Sequence, residues 1–120
     1  DHHQAQFLYH DETFYHFMDT ETYEQTALTK AALGESAEFL KDGMEVKLTF
    51  YNTEPIDIEL PSTVDLEVVE AEVAVRGDTA NSVTKIVTTE TGLRVQAPQF
   101  VKVGDTIRIS TITGEYQTRA

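Results

Sequence analysis

Apolar and polar residues alternate in short runs along almost the whole chain, with turn residues between the runs, and this pattern confines it to β architecture. Val64-Asp65-Leu66-Glu67-Val68 changes side at every step, as a strand with one buried face requires, because successive side chains of a strand point to opposite faces. The same texture marks Gln6-Phe7-Leu8-Tyr9, Thr13 to Met18, Tyr23 to Ala27, Met44 to Tyr51 and Ile56 to Leu60. It returns at Val64 to Val69, Lys85 to Thr89, Leu93 to Ala97, Thr106 to Ser110 and Glu115 to Thr118. His10-Asp11-Glu12, Asp19-Thr20-Glu21, Val103-Gly104-Asp105 and Thr113-Gly114-Glu115 supply turns, and Asn52-Thr53-Glu54-Pro55 reads as a hairpin. One segment changes period. Thr29 to Asp42 carries Ala31, Ala32, Phe39 and Leu40 among good helix formers; Gly34 splits it into two short pieces, and Gly43 stands where a left-handed cap stops it.

Three short strands, a helical insert and two more strands is the order of an oligonucleotide-binding (OB) barrel, a five-stranded, partly open Greek key. Pro61 suits a strand end or linker, since proline cannot donate to a sheet ladder. The expected fold is therefore all-β: two tandem OB-like five-stranded barrels, residues 1–61 with the short helical insert and residues 62–120 without a helix of any length. No fixed-period repeat links the halves, so any duplication is structural.

A formal net charge of -12 disfavours sequence-blind binding to DNA, anionic membranes or any phosphate backbone, because such binding needs a basic surface that releases counterions. The charge is uneven. Residues 1–61 hold 13 Asp and Glu against 3 Lys, whereas residues 62–120 hold 8 against 6 Lys and Arg, with all four arginines; a face that meets RNA belongs to the second half. The absence of cysteine removes disulfides, thiolate nucleophiles and sulfur-ligated metals. No apolar run is long enough to span a membrane and no secretory leader is legible, so the expected location is the cytoplasm.

The sharpest local candidate is Gly77-Asp78-Thr79, preceded by Arg76. Glycine permits close backbone approach, and the Asp carboxylate and Thr hydroxyl can bond to ribose hydroxyls or base edges; spacing alone favours a turn in which Asp78 caps its own backbone. Arg76, Arg94, Arg108 and Arg119 suit phosphate through the guanidinium fork, or surface salt bridges. Phe7, Tyr9, Phe14, Tyr15, Phe17 and Tyr23 read as core rather than as a base-stacking platform, since the half that holds them lacks a basic groove. His2-His3 reads as a tag remnant and His10 and His16 as strand-edge surface residues, with no metal-ligand spacing among them. The carboxylate groups Asp19/Glu21/Glu24 and Glu67/Glu70/Glu72 read as solvated faces, without a nucleophile motif or phosphate loop beside them, so neither catalysis nor a cofactor is expected.

The frame Lys85, Gly92, Val95, Pro98, Val101, Gly104 resembles the signature of the third domain of bacterial elongation factor P. Phe17-Met18-Asp19, Glu21 to Gln25 and Glu54 to Pro61 resemble that family's second domain, and Val64 to Glu70, Gly77 to Ala80 and Gly114-Glu115-Tyr116 its third. The resemblance implies a chain lacking the family's first domain, whose lysine reaches the peptidyl-transferase centre. It further implies binding to the ribosome beside peptidyl-tRNA, relief of stalling at consecutive prolines, and two C-terminal domains that mimic part of a tRNA, in a monomer. It places Gly77, Asp78 and Thr79 toward the small subunit and the exit-site codon of the mRNA. The alternative is a protein-interaction barrel with no ribosomal role. Glu12 and Thr53 stand in predicted turns where the family has glycine, and Ala97 where its signature has valine.

Overall fold

The computed structural model describes residues 1–72 and 84–120. They form two compact units, Asp1–Pro61 and Ser62–Ala120.

The first unit runs β1 (His2–His10), β2 (Phe14–Asp19), β3 (Gln25–Thr29), α1 (Lys30–Leu33), a 3-10 helix (Gly34–Phe39), β4 (Glu45–Tyr51) and β5 (Glu54–Glu59). Its antiparallel sheet has the order β3-β2-β1-β4-β5, which is the OB order left open between its third and fifth strands. Alternation works as expected: Ala5 and Phe7 of β1, Phe17 of β2, and Val46 and Leu48 of β4 turn inward, and Leu33, Ala37 and Leu40 of the helical insert join their core. Thr29 starts α1, its Oγ1 accepting from the Ala32 N–H at 3.1 Å, and Gly34 ends it at φ 60 where a side chain is disfavoured. The expected split at Gly34 is present, but the helical segment ends at Phe39 rather than Asp42 because Leu40 is extended and buried.

Three local features differ from the strand pattern. A β-bulge between Phe7 and Tyr9 brings Tyr9, not Leu8, opposite His16 and places His10 opposite Tyr15. One extra residue reverses the facing of the residues after it, so Tyr9 is exposed although simple alternation puts it on the Phe7 side. Second, β5 begins at Glu54, two residues before the expected Ile56, and the hairpin is a tight two-residue turn with Tyr51 opposite Glu54. Pro55 is thereby inside a strand, which the edge position of β5 permits. Third, β1 begins at His2, with His2 opposite Thr49 and His3 opposite Leu48, so the two histidines are part of the sheet and not an appendage.

The second unit comprises β6 (Thr63–Ala71), β7 (Thr84–Thr89), β8 (Arg94–Pro98), β9 (Thr106–Ser110) and β10 (Tyr116–Arg119). Its order β10-β9-β6-β7-β8 repeats that of the first unit when the strands of each are numbered from one to five. Val64, Leu66 and Val68 of β6 are buried, as are Val87, Val95, Ala97, Ile107 and Ile109 of β7, β8 and β9. Two curled five-stranded antiparallel sheets, with one short α-helix among the described residues, realise the all-β expectation.

Candidate functional site

Arg76, Gly77, Asp78 and Thr79 lie outside the described residues, in the connection from β6 to β7. The roots of that connection are described. Ala71 pairs with Val87, the Glu72 N–H donates to the Ile86 carbonyl at 2.9 Å, and the Ile86 N–H donates to Glu72 Oε1 at 3.4 Å. In an OB barrel this connection and the one between the fourth and fifth strands border the face formed by the second and third strands, where oligonucleotides bind. Here that face is the β7–β8 ladder.

The described arginines divide by partner. Arg108 places Nε 2.9 Å and Nη2 3.2 Å from the two carboxylate oxygens of Asp65, a bidentate fork across the β6–β9 ladder that raises the pKa of the guanidinium. Arg119 approaches Asp105 at 3.7 Å and lies 5.0 Å from the Phe100 ring centroid, a cation–π distance. These two follow the salt-bridge reading. Arg94 is exposed on β8 and makes no ion pair among the described residues. It borders a cleft of 620 Å3 whose walls include Thr84, Ile86, Gln96, Pro98 and Tyr116.

In the first unit the aromatics separate into two sets. Phe7 and Phe17 are fully buried with ring centroids 5.4 Å apart, as the core reading expects. Tyr9, Phe14 and Tyr23 are exposed, and Tyr9 stacks on His16 at 4.6 Å. His16 is half-buried in an interior strand rather than at a sheet edge, and its Nε2 lies 2.8 Å from Asp11 Oδ2. That bond, with the N–H groups of Phe14 and Thr13 donating to Asp11 Oδ1 at 2.7 and 2.9 Å, holds the Asp11 carboxyl down at about 2. Asp19 is a second such cap. Its Oδ1 accepts from Thr22 and Glu21 N–H groups, its Oδ2 bonds His3 Nδ1 at 2.8 Å, and its pKa is lowered, chiefly by the two backbone donors.

Asp19 and Glu24 line a 560 Å3 cleft floored by Ala5, Phe17 and Leu48. A carboxylate whose lone pairs are committed to a turn and whose pKa is depressed is poorly matched to proton transfer at neutral pH, so Asp19 there works as a structural cap. No cluster of metal-ligating side chains occurs among the described residues, and no described helix is long and apolar enough to cross a membrane.

The residues of the signature frame have structural reasons in the same geometry. Gly92 has φ 89 and Gly104 φ 97, a region in which only glycine is unstrained; the Gly104 N–H donates to the Val68 carbonyl at 2.9 Å, and Val95 and Val101 are buried. Two family models match the chain, one described as the elongation factor P (EF-P) OB domain over residues 1–58 and one as elongation factor P, C-terminal, over residues 64–119. The chain belongs to the elongation factor P family. Relatives named elongation factor P include that of Moorella thermoacetica, 49% identical over 98% of this chain and 63% of the relative. Those of Desulfotalea psychrophila, 49% over 97% and 62%, and Alkaliphilus oremlandii, 45% over 97% and 63%, are similar. The chain thus spans about three fifths of the length of these elongation factor P relatives.

Within the elongation factor P frame, the two turns lacking the family's glycine resolve differently. Glu12 does not adopt positive φ, because Asp11 caps that turn through Thr13 and Phe14. Thr53 does, at φ 68, beside Asn52 at φ 50. Sequence reasoning reaches Arg94 as a phosphate candidate but not Gln96 or Tyr116. Alternation on β8 puts Gln96 on the face of Arg94, whereas the approach of Tyr116 is a tertiary event that no local pattern encodes.

Proposed function

We propose that this chain is the ribosome-binding, C-terminal part of a translation elongation factor that promotes peptide-bond formation at proline-rich stalls. The observation that carries the reading is the pair of family-model matches, 1–58 and 64–119, which together run nearly end to end. The acidity concentrated in the first half supports it, since a protein that occupies a site shaped for tRNA gains from resembling a polyanion. In this reading the chain acts as a monomer in the cytoplasm beside peptidyl-tRNA. Asp78 and Thr79 make polar contacts to ribosomal RNA or exit-site mRNA, Gly77 allows the approach, and Arg76 contacts phosphate. These barrels supply binding and position; they carry out no chemistry of their own.

The test is the double substitution Asp78→Ala, Thr79→Ala in a full-length protein carrying these two domains. Translation of a reporter with consecutive prolines should stall more, while the amide NMR spectrum of both barrels stays folded. Undiminished stalling relief removes the assignment of the loop.

A further inference from the structure

The cleft beside Arg94 has the parts of a nucleotide site. It opens where the sheet of the second unit fails to close between β8 and β10. On the ladder side, Thr88 pairs with Arg94, Ile86 with Gln96 and Thr84 with Pro98, so cation, amide and proline succeed one another along one face of β8 at every second residue. Across the gap stands half-buried Tyr116. At 620 Å3 the space is in the range of small-ligand sites.

We propose that this cleft takes one nucleotide of a single-stranded RNA, its phosphate on the Arg94 guanidinium, its base against the Tyr116 ring and the Ile86 and Pro98 surface, and a base edge on the Gln96 amide. Three observations converge on this ligand. The cleft sits on the face by which OB barrels hold oligonucleotides. Arg94 is the described arginine without an ion pair, in a chain whose other charges are mostly acidic. The Gln96 amide lies on the same face of β8 as that cation and the Tyr116 ring lines the cleft from β10, the combination of stacking and polar contact by which unpaired bases are held. Glu115 on the opposite wall repels a second phosphate and limits the contact to one. The choice of RNA over DNA rests on the ribosomal reading; the cleft itself does not.

The experiment titrates the nitrogen-15-labelled chain with hexauridylate and tracks amide shifts. Shifts should centre on Arg94, Gln96 and Tyr116. One phosphate contact predicts that raising salt from about 50 to 200 mM weakens binding only about two- to threefold. Arg94→Gln should abolish that salt dependence and weaken binding about tenfold, Tyr116→Leu should weaken it at least about fivefold, and Arg119→Gln, at an already paired arginine, should change nothing. The absence of shifts at this cleft, an unchanged affinity and salt slope in Arg94→Gln, or equal shifts with hexaglutamate in place of RNA would overturn the site. Ribosome cosedimentation reads the broader function separately, so failure of one is distinguishable from failure of the other.

Discussion

Replacing Thr53 with glycine is expected to stabilise the first unit, although Thr53 makes no buried contact to improve. Asn52 and Thr53 form the two-residue turn between β4 and β5, both with positive φ, which is the mark of the type I′ hairpin that favours Asn-Gly. Asparagine tolerates this region; a β-branched residue does not. Holding Thr53 at φ 68 costs about 1–2 kcal/mol, and glycine would forfeit about 0.5–1 kcal/mol of that through the extra chain entropy it loses on folding. The Thr53 hydroxyl bonds only the adjacent Asn52 carbonyl, and the residue is exposed, so the packing term is small. The difference favours Thr53→Gly by about 0.5–1 kcal/mol, or roughly 2–8 °C in the melting temperature of a unit this size. Thermal unfolding monitored by circular dichroism, with Asn52→Gly as a control expected to gain less, reads the effect. A melting temperature that is unchanged or lowered in Thr53→Gly would refute the claim that left-handed strain sits at this residue.

Gly104→Ala is the converse case: nothing lies within 4 Å of a Cβ built there, yet φ is 97, so a loss of about 1–2 kcal/mol in urea unfolding is expected from the backbone alone. Phe17→Ala removes a fully buried ring from the first core and should cost about 3–5 kcal/mol, read as loss of the dispersed amide signals of residues 1–61. Asp11 has its pKa depressed from 3.8 to about 2, so its stabilising bonds are fully present above pH 4 and are lost as pH falls toward 2. The urea midpoint of the parent should decline through that window more steeply than that of Asp11→Asn, and coincident profiles would contradict the role given to this carboxylate.

Most strands were legible in the sequence because burial on one face forces a period of two, and the order of Val64 to Val69, Lys85 to Thr89 and Thr106 to Ser110 survives almost unchanged in β6, β7 and β9. The split at Gly34 was legible for a similar reason, since a conformational exception needs glycine. The bulge at Leu8 was not, because an added residue in one strand is defined only by its partner, and it carried Tyr9 out of its expected place; His16 differs because β2 lies between two other strands. The site was less legible than the fold. Arg94 and Arg108 look alike in sequence, and only the cross-strand position of Asp65 consumes one and leaves the other available. Tyr116 comes near Arg94 because the sheet curls its two edge strands, β8 and β10, toward each other, which places residues about twenty apart in the chain beside one cleft.

Sedimentation reads whether these two barrels are the ribosome-binding part of a translation factor. A full-length protein carrying residues 1–120 should pellet with purified ribosomes and be retained in smaller amount when Asp78 and Thr79 are both alanine. A protein that stays entirely in the supernatant with ribosomes present would contradict the ribosomal role and leave a protein-interaction barrel in its place.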